Sequence, residues 1–336
     1  MTDAHAGVTP QRILQMAWGF AAPLAIEAAV RHKVFDVLAE RGSLDLAELV
    51  RATGASRRGL SGLADLLVGF GLLDRSNGGT YTLTPESRTF LVSGKPEFQG
   101  GLFRHMSRQL IPVWSKLGDV VATGVPAVAV NQHESGSAFF EEFVADLFPM
   151  SYPAARTLAA YLHLRQASVL DLAAGSGVWG ISLAQSSPGV RVRAVDWPQV
   201  LPVTRSFADR FGLSDRYTFA EGDLSSADFG HDHTVAVLGH ILHSEGEERS
   251  RALLQRTFDA MAPGGTIAIA EFLVDADRKG PLSGLVFAVN MLVNTDHGNA
   301  YSFDEISLWL REAGFRDMRQ LDAPGPSPLI LATKPA

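Results

Sequence analysis

VLDLAAGSGVWG, residues 169–180, is the stretch from which the fold of this chain can be read. A short apolar run meets Gly175 and Gly177, and a helix-compatible segment follows from Val178. A strand that turns through glycines into a helix is the building unit of a parallel α/β sheet. Gly175-Ser-Gly177-Val-Trp-Gly180 also fits G-x-G-x-x-G, a spacing that lets the backbone approach a nucleotide closely. Spacing alone does not choose the nucleotide, but Asp171 does. A dinucleotide lays its pyrophosphate over such a loop, where a helix N-terminus favours negative charge. A carboxylate at the strand end repels that group. It attracts the ammonium and sulfonium of S-adenosylmethionine (SAM), which carries no phosphate. An acid followed by small residues, with Ala173 in one usual glycine place, matches the SAM-binding pattern.

Outward from this segment, short apolar runs at 169–173, 192–197, 217–220, 234–238 and 266–272 alternate with helical stretches. That alternation predicts a Rossmann-like, mostly parallel sheet covered on both faces. The run 329–333 follows 318–321 across a Pro/Gly-rich turn too short for a crossover helix, so the last strand is expected to run antiparallel. Two further acids fall at strand ends in this scheme. Asp196 is placed to take ribose hydroxyls, as it would be in a dinucleotide enzyme, and Asp223 of Glu221-Gly222-Asp223 is within reach of an adenine amino group. The candidate cofactor residues are therefore Asp171, Gly175, Gly177, Asp196 with its neighbour Trp197, and Asp223 with its neighbour Leu224.

The first hundred residues read differently. Apolar positions at helical spacing over 13–39 (Ile13, Met16, Phe20, Leu24, Val30, Val34, Leu38) cover a wide arc, which needs cover on more than one side, and a partner subunit could supply it. Helices over 44–53 and 56–70, closed by Gly54 and Gly71, precede a hairpin of 72–75 and 81–84 around Asn77-Gly78-Gly79. Helix, turn, helix, hairpin is winged-helix order, a module that often binds DNA. Residues 1–100 hold ten Lys/Arg against ten Asp/Glu, so a basic footprint is absent and dimerisation or substrate covering is the better reading. The expected organisation is a dimerisation domain over 1–100, connecting helices that help form an acceptor pocket over 101–165, and a SAM-binding catalytic domain over 166–336.

Composition narrows the classes further. The 336 residues are 46% hydrophobic and 19% charged, as in soluble globular proteins. A net charge of −7 gives no electrostatic reason to expect nucleic acid or an anionic membrane as partner. With no cysteine, disulfides, thiolate metal sites and thiol nucleophiles are excluded, which fits a reducing cytoplasm. The start lacks the form of a secretory signal. The apolar stretches 21–30 and 285–293 are short of the roughly 20 residues that span a bilayer. The expected location is cytoplasmic.

Chemistry is expected at His243, a few residues beyond the fourth strand, with Glu271 near the end of the next. Adjacent parallel strands lie about 4.8 Å apart, so the two residues can meet at one rim. A carboxylate beside an imidazole fixes its tautomer and suits it to act as general base. His240 is a competitor that lies nearer the strand.

With these motifs in place, residues from about 14 to 334 resemble the SAM-dependent O-methyltransferases of the plant caffeic-acid type and their bacterial relatives. The resemblance is most specific at VLDLAAGSG, VDWPQVL, EGD, HILHSEGEE, LLQRTFDAMAPGG and AEF. It implies a homodimer formed through the N-terminal domain, His243 as base, Glu271 as its orienting acid, and a SAM site including Gly175, Asp196 and Asp223. S-adenosylhomocysteine is the implied product, with no metal. It also puts Trp114, Met150, Tyr152, Phe287, Met291 and Asn294 in or beside the acceptor pocket, and their character suits a flat apolar acceptor. Departures stand beside these matches. Ser244 replaces the usual aspartate, Gly239 the lysine of the plant enzymes, and Ala300 a second flanking glutamate, for which Asp296 or His297 could compensate. The expected activity is methyl transfer to a hydroxyl, phenolic in class, on a small secondary metabolite. The alternatives are C-methylation or a non-methylating SAM reaction, a winged-helix regulator, and a dinucleotide oxidoreductase.

Overall fold

The computed structural model describes residues 8–132, 136, 140 and 143–336, so part of the expected loop at 124–136 lies outside the described residues. Two compact units divide at Pro112 and Val113. The block 101–165, expected to connect two domains, is thus shared between them.

The first unit is helical. The run expected over 13–39 is three helices, Gln11–Ala17, Ala21–Arg31 and Val34–Arg41. The second break falls at Lys33, which takes a left-handed φ of 56°. Gln11–Arg31 counted as one run is long and apolar enough to cross a membrane, a property that reading 21–30 alone had missed. Its second half packs inward through Ile26 and Ala29, while Ile13, Met16, Trp18 and Phe20 are exposed. Next come helices Leu46–Thr53 and Arg57–Gly69. Asp45 and Glu48 form a capping box on the first, and Ser56 caps the second through Gly59 N–H. Strands β1 (Leu73–Arg75) and β2 (Tyr81–Leu83) form the expected hairpin, with Leu73 opposite Leu83 and both buried.

The second unit holds a seven-stranded sheet: β3 (Gln166–Leu172), β4 (Gly189–Asp196), β5 (Tyr217–Glu221), β6 (His233–Gly239), β7 (Met261–Ala270), β8 (Arg316–Leu321) and β9 (Leu329–Thr333). Their spatial order is β5-β4-β3-β6-β7-β9-β8. All neighbours from β5 through β7 pair in parallel, and β9 runs antiparallel between β7 and the edge strand β8, as the short turn required. Strand residues alternate between two buried layers. Val169, Val192 and Val237 join helices Phe148–Leu162, Val178–Ser186 and Leu201–Arg210 on one face. Leu170, Leu172 and Leu238 join Leu242–Ala260 and Phe303–Glu312 on the other. Burial on both faces is why these strands read as apolar runs instead of alternating ones.

The chain order reverses direction at β3, whose neighbours are β4 on one side and β6 on the other. Ligands of open α/β sheets bind in the crevice at that switch point, beyond the carboxyl ends of the strands. Gly180, in the first turn of the helix behind the crevice, has no spare space. A Cβ there would lie 2.8 Å from Asp171 Oδ2, Tyr217 Oη and Val192 Cγ1. Gly180→Ala is therefore expected to cost about 1–3 kcal/mol through overpacking, read as a lower urea midpoint with an unchanged m-value. An unchanged midpoint would show that helix and sheet are less closely packed than described.

Candidate active site

Where each strand stops is what assembles the site. After β3, Ala173, Gly175 and Gly177 all take positive φ, at 52°, 56° and 74°. Glycine does this freely, but for alanine the left-handed region costs about 1–2 kcal/mol. Asp171 lies under this loop, fully buried, with its Oδ2 accepting the Gly180 N–H at 2.9 Å. Asp196, at the end of β4, accepts the Gly175 N–H at 2.8 Å and the Trp197 N–H at 2.7 Å. The loop is thus pinned from below and from the side by two carboxylates. Thr204 adds a third tie, donating to the Gly175 carbonyl at 2.6 Å.

These carboxylates differ electrostatically. Burial pushes Asp171 up to about 7 against the amide bond from Gly180, and nearby Asp196 adds to the rise. Burial raises Asp196 to about 6, against its two amide bonds. Asp223 is less enclosed. Burial raises it too, but its bonds with Ser225 and the Arg249 guanidinium outweigh that and hold it below the usual carboxylate range. Trp197 is half-buried with its ring 6.1 Å from Phe140, whereas the Leu224 side chain belongs to the core layer.

Across the switch point, β6 ends at Gly239 opposite Ala270 of β7. Glu271 follows Ala270 directly, so the expected meeting occurs. Glu271 Oε2 lies 2.7 Å from His243 Nδ1, and Oε1 accepts the His243 backbone N–H at 3.2 Å. Burial pushes Glu271 up, but the charge and hydrogen bonds of His243 more than offset it, and the carboxyl sits below its usual range. An ionised Glu271 can only accept, which assigns the proton to Nδ1 and leaves Nε2 as the free lone pair. His243 is also wedged sideways. Phe287 meets its ring edge-on at 4.8 Å, and Phe272 stacks on Phe287 at 3.8 Å. His240 sits beside it, its ring 6.3 Å away, and burial holds its pKa down to about 4.

The three departures from the family pattern have structural counterparts. A Cβ at Gly239 would lie 2.0 Å from Trp179 Nε1, so the indole fills the space in which a lysine would begin. The Ser244 hydroxyl bonds locally, donating to the Ile241 carbonyl at 2.9 Å. Ala300 is fully buried, and among the described residues no hydrogen bond or ion pair joins Asp296 or His297 to His243. His297 is exposed, and Asp296 accepts a bond from Gln132 at 2.6 Å. What braces His243 there is backbone: Asn299 N–H donates to the His243 carbonyl at 2.8 Å.

Of the expected acceptor residues, Phe287, Met291 and Asn294 lie along one side of helix Leu282–Asn294, at i, i+4 and i+7. Trp114 joins them by donating from Nε1 to Asn290 Oδ1 at 2.8 Å. Asn290, which also accepts from Asn294, was missed by sequence reasoning. A polar residue four before Asn294 in an otherwise apolar helix was the available signal. Phe272 was missed as well. Tyr152 lies elsewhere, packed on Phe148 and Phe211 with its hydroxyl on Gln185, and Met150 begins the same helix.

A mostly parallel α/β sheet whose glycine loop sits over a buried acid, with further acids at successive strand ends, fits a methyltransferase. The family models agree. The O-methyltransferase domain matches residues 114–316, and the O-methyltransferase dimerisation domain matches 14–93. The chain belongs to the SAM-dependent O-methyltransferase family that includes the plant caffeic-acid type and bacterial polyketide enzymes. It is 31% identical to the tetracenomycin polyketide 8-O-methyltransferase of Streptomyces glaucescens, over 97% of each chain. It is 30% identical to the 3-hydroxy-5-methyl-1-naphthoate 3-O-methyltransferase of Streptomyces sahachiroi, over 97% of this chain and 95% of the other. Human N-acetylserotonin methyltransferase, solved in complex with SAM, superposes with a TM-score of 0.84 at 27% identity over 100% of both chains.

The raised carboxyl of Asp171 has a measurable consequence. An unfolded aspartate loses its proton near 3.8, whereas folded Asp171 keeps it to about 7. Between those values the folded state binds more protons, so this group's contribution to stability falls as pH rises. Asp171→Asn keeps an acceptor for Gly180 N–H and cannot ionise. Compared with the native chain between about pH 4.5 and 7.5, it should show a flatter decline of urea midpoint with pH. Parallel profiles for the two proteins would remove Asp171 as the source.

Proposed function

We propose that the chain transfers the methyl group of SAM to a phenolic hydroxyl of a small polycyclic or bicyclic secondary metabolite, with His243 as general base. The single observation that carries this reading is the order of groups along the rim. Asp223, Asp196, the glycine loop, His243 and Glu271 follow one another across β5, β4, β3, β6 and β7. At about 4.8 Å per strand, that row matches an extended cofactor followed by an acceptor. Asp223 is positioned for the adenine and Asp196 for the ribose. The loop over Asp171 is positioned for the methionine part, whose ammonium favours ionisation of the buried carboxylates.

Bound there, SAM supplies a methyl group on a positively charged sulfur and leaves as S-adenosylhomocysteine, so no metal is needed to activate it. The chain's own task is positioning and proton removal. His243 Nε2 takes the acceptor's hydroxyl proton as the oxygen becomes nucleophilic, and Glu271 stabilises the imidazolium through Nδ1. Phe287 and Met291 give a flat apolar lining for an aromatic ring, with Asn290 and Trp114 as its polar edge. The two bacterial relatives are named for aromatic polyketide and naphthoate hydroxyls, which supports the acceptor class. The dimerisation-domain match and the exposed Ile13, Met16, Trp18 and Phe20 support a homodimer formed through the N-terminal region.

His243→Ala should lower kcat by about 10²–10⁴ with little change in SAM affinity, and Glu271→Gln should reduce turnover while altering its pH profile. Full turnover by His243→Ala would remove it as the base. A product methylated on carbon, identified by mass spectrometry and NMR, would replace O-transfer with C-transfer. SAM binding should also release protons near pH 6, because its positive charges favour ionised Asp171 and Asp196. Calorimetry in two buffers of different ionisation enthalpy reads this directly, and identical heats would contradict it.

A further inference from the structure

His240, His243 and Glu271 have a property that methyl transfer does not use. One ring nitrogen of each histidine and one carboxylate oxygen all lie within 4.8 Å of one another. The His240 Nδ1 is buried and has no hydrogen-bond partner. Backbone holds this residue in place: its φ is 63°, and its N–H donates to the Ala270 carbonyl at 2.9 Å. Phe272, at 5.2 Å between ring centres, and Trp179, at 6.4 Å, give the ring an apolar wall. A buried nitrogen left unpaired costs free energy that folding normally avoids.

Two imidazoles and one carboxylate form the donor set of three-ligand zinc sites, which keep a fourth position for water. A tetrahedral ion with bonds of about 2.0–2.1 Å holds its ligands about 3.4 Å apart. His243 Nδ1 and Glu271 Oε2 are 2.7 Å apart, and the three donor atoms of the group all lie within 4.8 Å of one another. Imidazole donors favour zinc, copper or nickel, whereas magnesium and calcium require a set dominated by oxygens.

We propose that His240, His243 and Glu271 form an inhibitory site for a divalent transition ion, best suited to Zn²⁺. The inhibitory consequence rests on the reading of His243 as the base; the binding does not. Bound through Nδ1, the ion displaces the bond to Glu271 and leaves the ring proton on Nε2. The lone pair that would take the acceptor's proton is then lost.

The test uses the full-length protein freed of metal by a chelator. Zn²⁺ alone is titrated by calorimetry, and Co²⁺ is titrated while the visible spectrum is followed. One ion per chain is expected, with the Co²⁺ absorption of a four-coordinate site. Saturating Zn²⁺ should lower methyl transfer by at least about tenfold, with recovery on chelation. His240→Phe should weaken Zn²⁺ binding by about tenfold or more, and His240→Asn serves if the phenylalanine variant does not fold. No stoichiometric binding to the native chain, or equal affinity in native and His240 variants, would overturn the site. Binding with undiminished turnover would overturn its inhibitory role. The Co²⁺ spectrum does not depend on turnover, so failure of the base assignment and failure of the metal site remain separable.

Discussion

Parallel pairing of five strands constrains everything else in the catalytic unit. Because β5, β4, β3, β6 and β7 run in one direction, their carboxyl ends share one rim. Crossover helices bury both faces of such a sheet, so the rim is where polar side chains can meet a ligand. The row of acids and the His243–Glu271 pair are consequences of that geometry. Shifting the β6–β7 register from Gly239 opposite Ala270 would separate His243 from Glu271, although neither residue had changed.

Asp171 shows how indirectly a carboxylate can serve such a rim. A solvated acid at the loop would bind a cation but would not hold the loop. Fully buried, it organises the helix N-terminus through Gly180 N–H from beneath the loop. Its cost is a carboxyl whose ionisation is suppressed in the free protein. A positively charged ligand relieves that cost, which links loop organisation to ligand charge in one group.

Where the family pattern sets a second acid beside this histidine, the chain relies on shape. Ala300 is buried, and the imidazole is held by one carboxylate, the edge of Phe287 and a backbone bond from Asn299 to its own carbonyl. One charged partner is enough to fix the tautomer, and aromatic packing can fix the plane of the ring. The same apolar surroundings leave His240, beside His243, without a partner for its Nδ1 among the described residues. Substitution of a lysine by Gly239 has a steric counterpart in Trp179, which the glycine loop itself places there.

The order of the strands came from the structure, whereas the sequence by itself determined the mostly parallel sheet with its glycine loop, the antiparallel last strand and the pairing of His243 with Glu271. Those features depend on periodicity and on residues at strand ends, which one-dimensional pattern preserves. It also marked Gly54 and Gly71, the positive-φ glycines that close two N-terminal helices. Only the tertiary structure decided that Asp171 lies beneath the loop, since a strand residue near the end can face the crevice or a helix. Only it showed Asp296 bonded to Gln132, 164 positions away, and Tyr152 in the aromatic packing around Phe148. The break of 13–39 into three helices likewise followed from packing and from the backbone at Lys33, not from apolar spacing. Contacts between distant segments depend on where elements dock, and hydrophobic periodicity fixes which face is buried without saying against what.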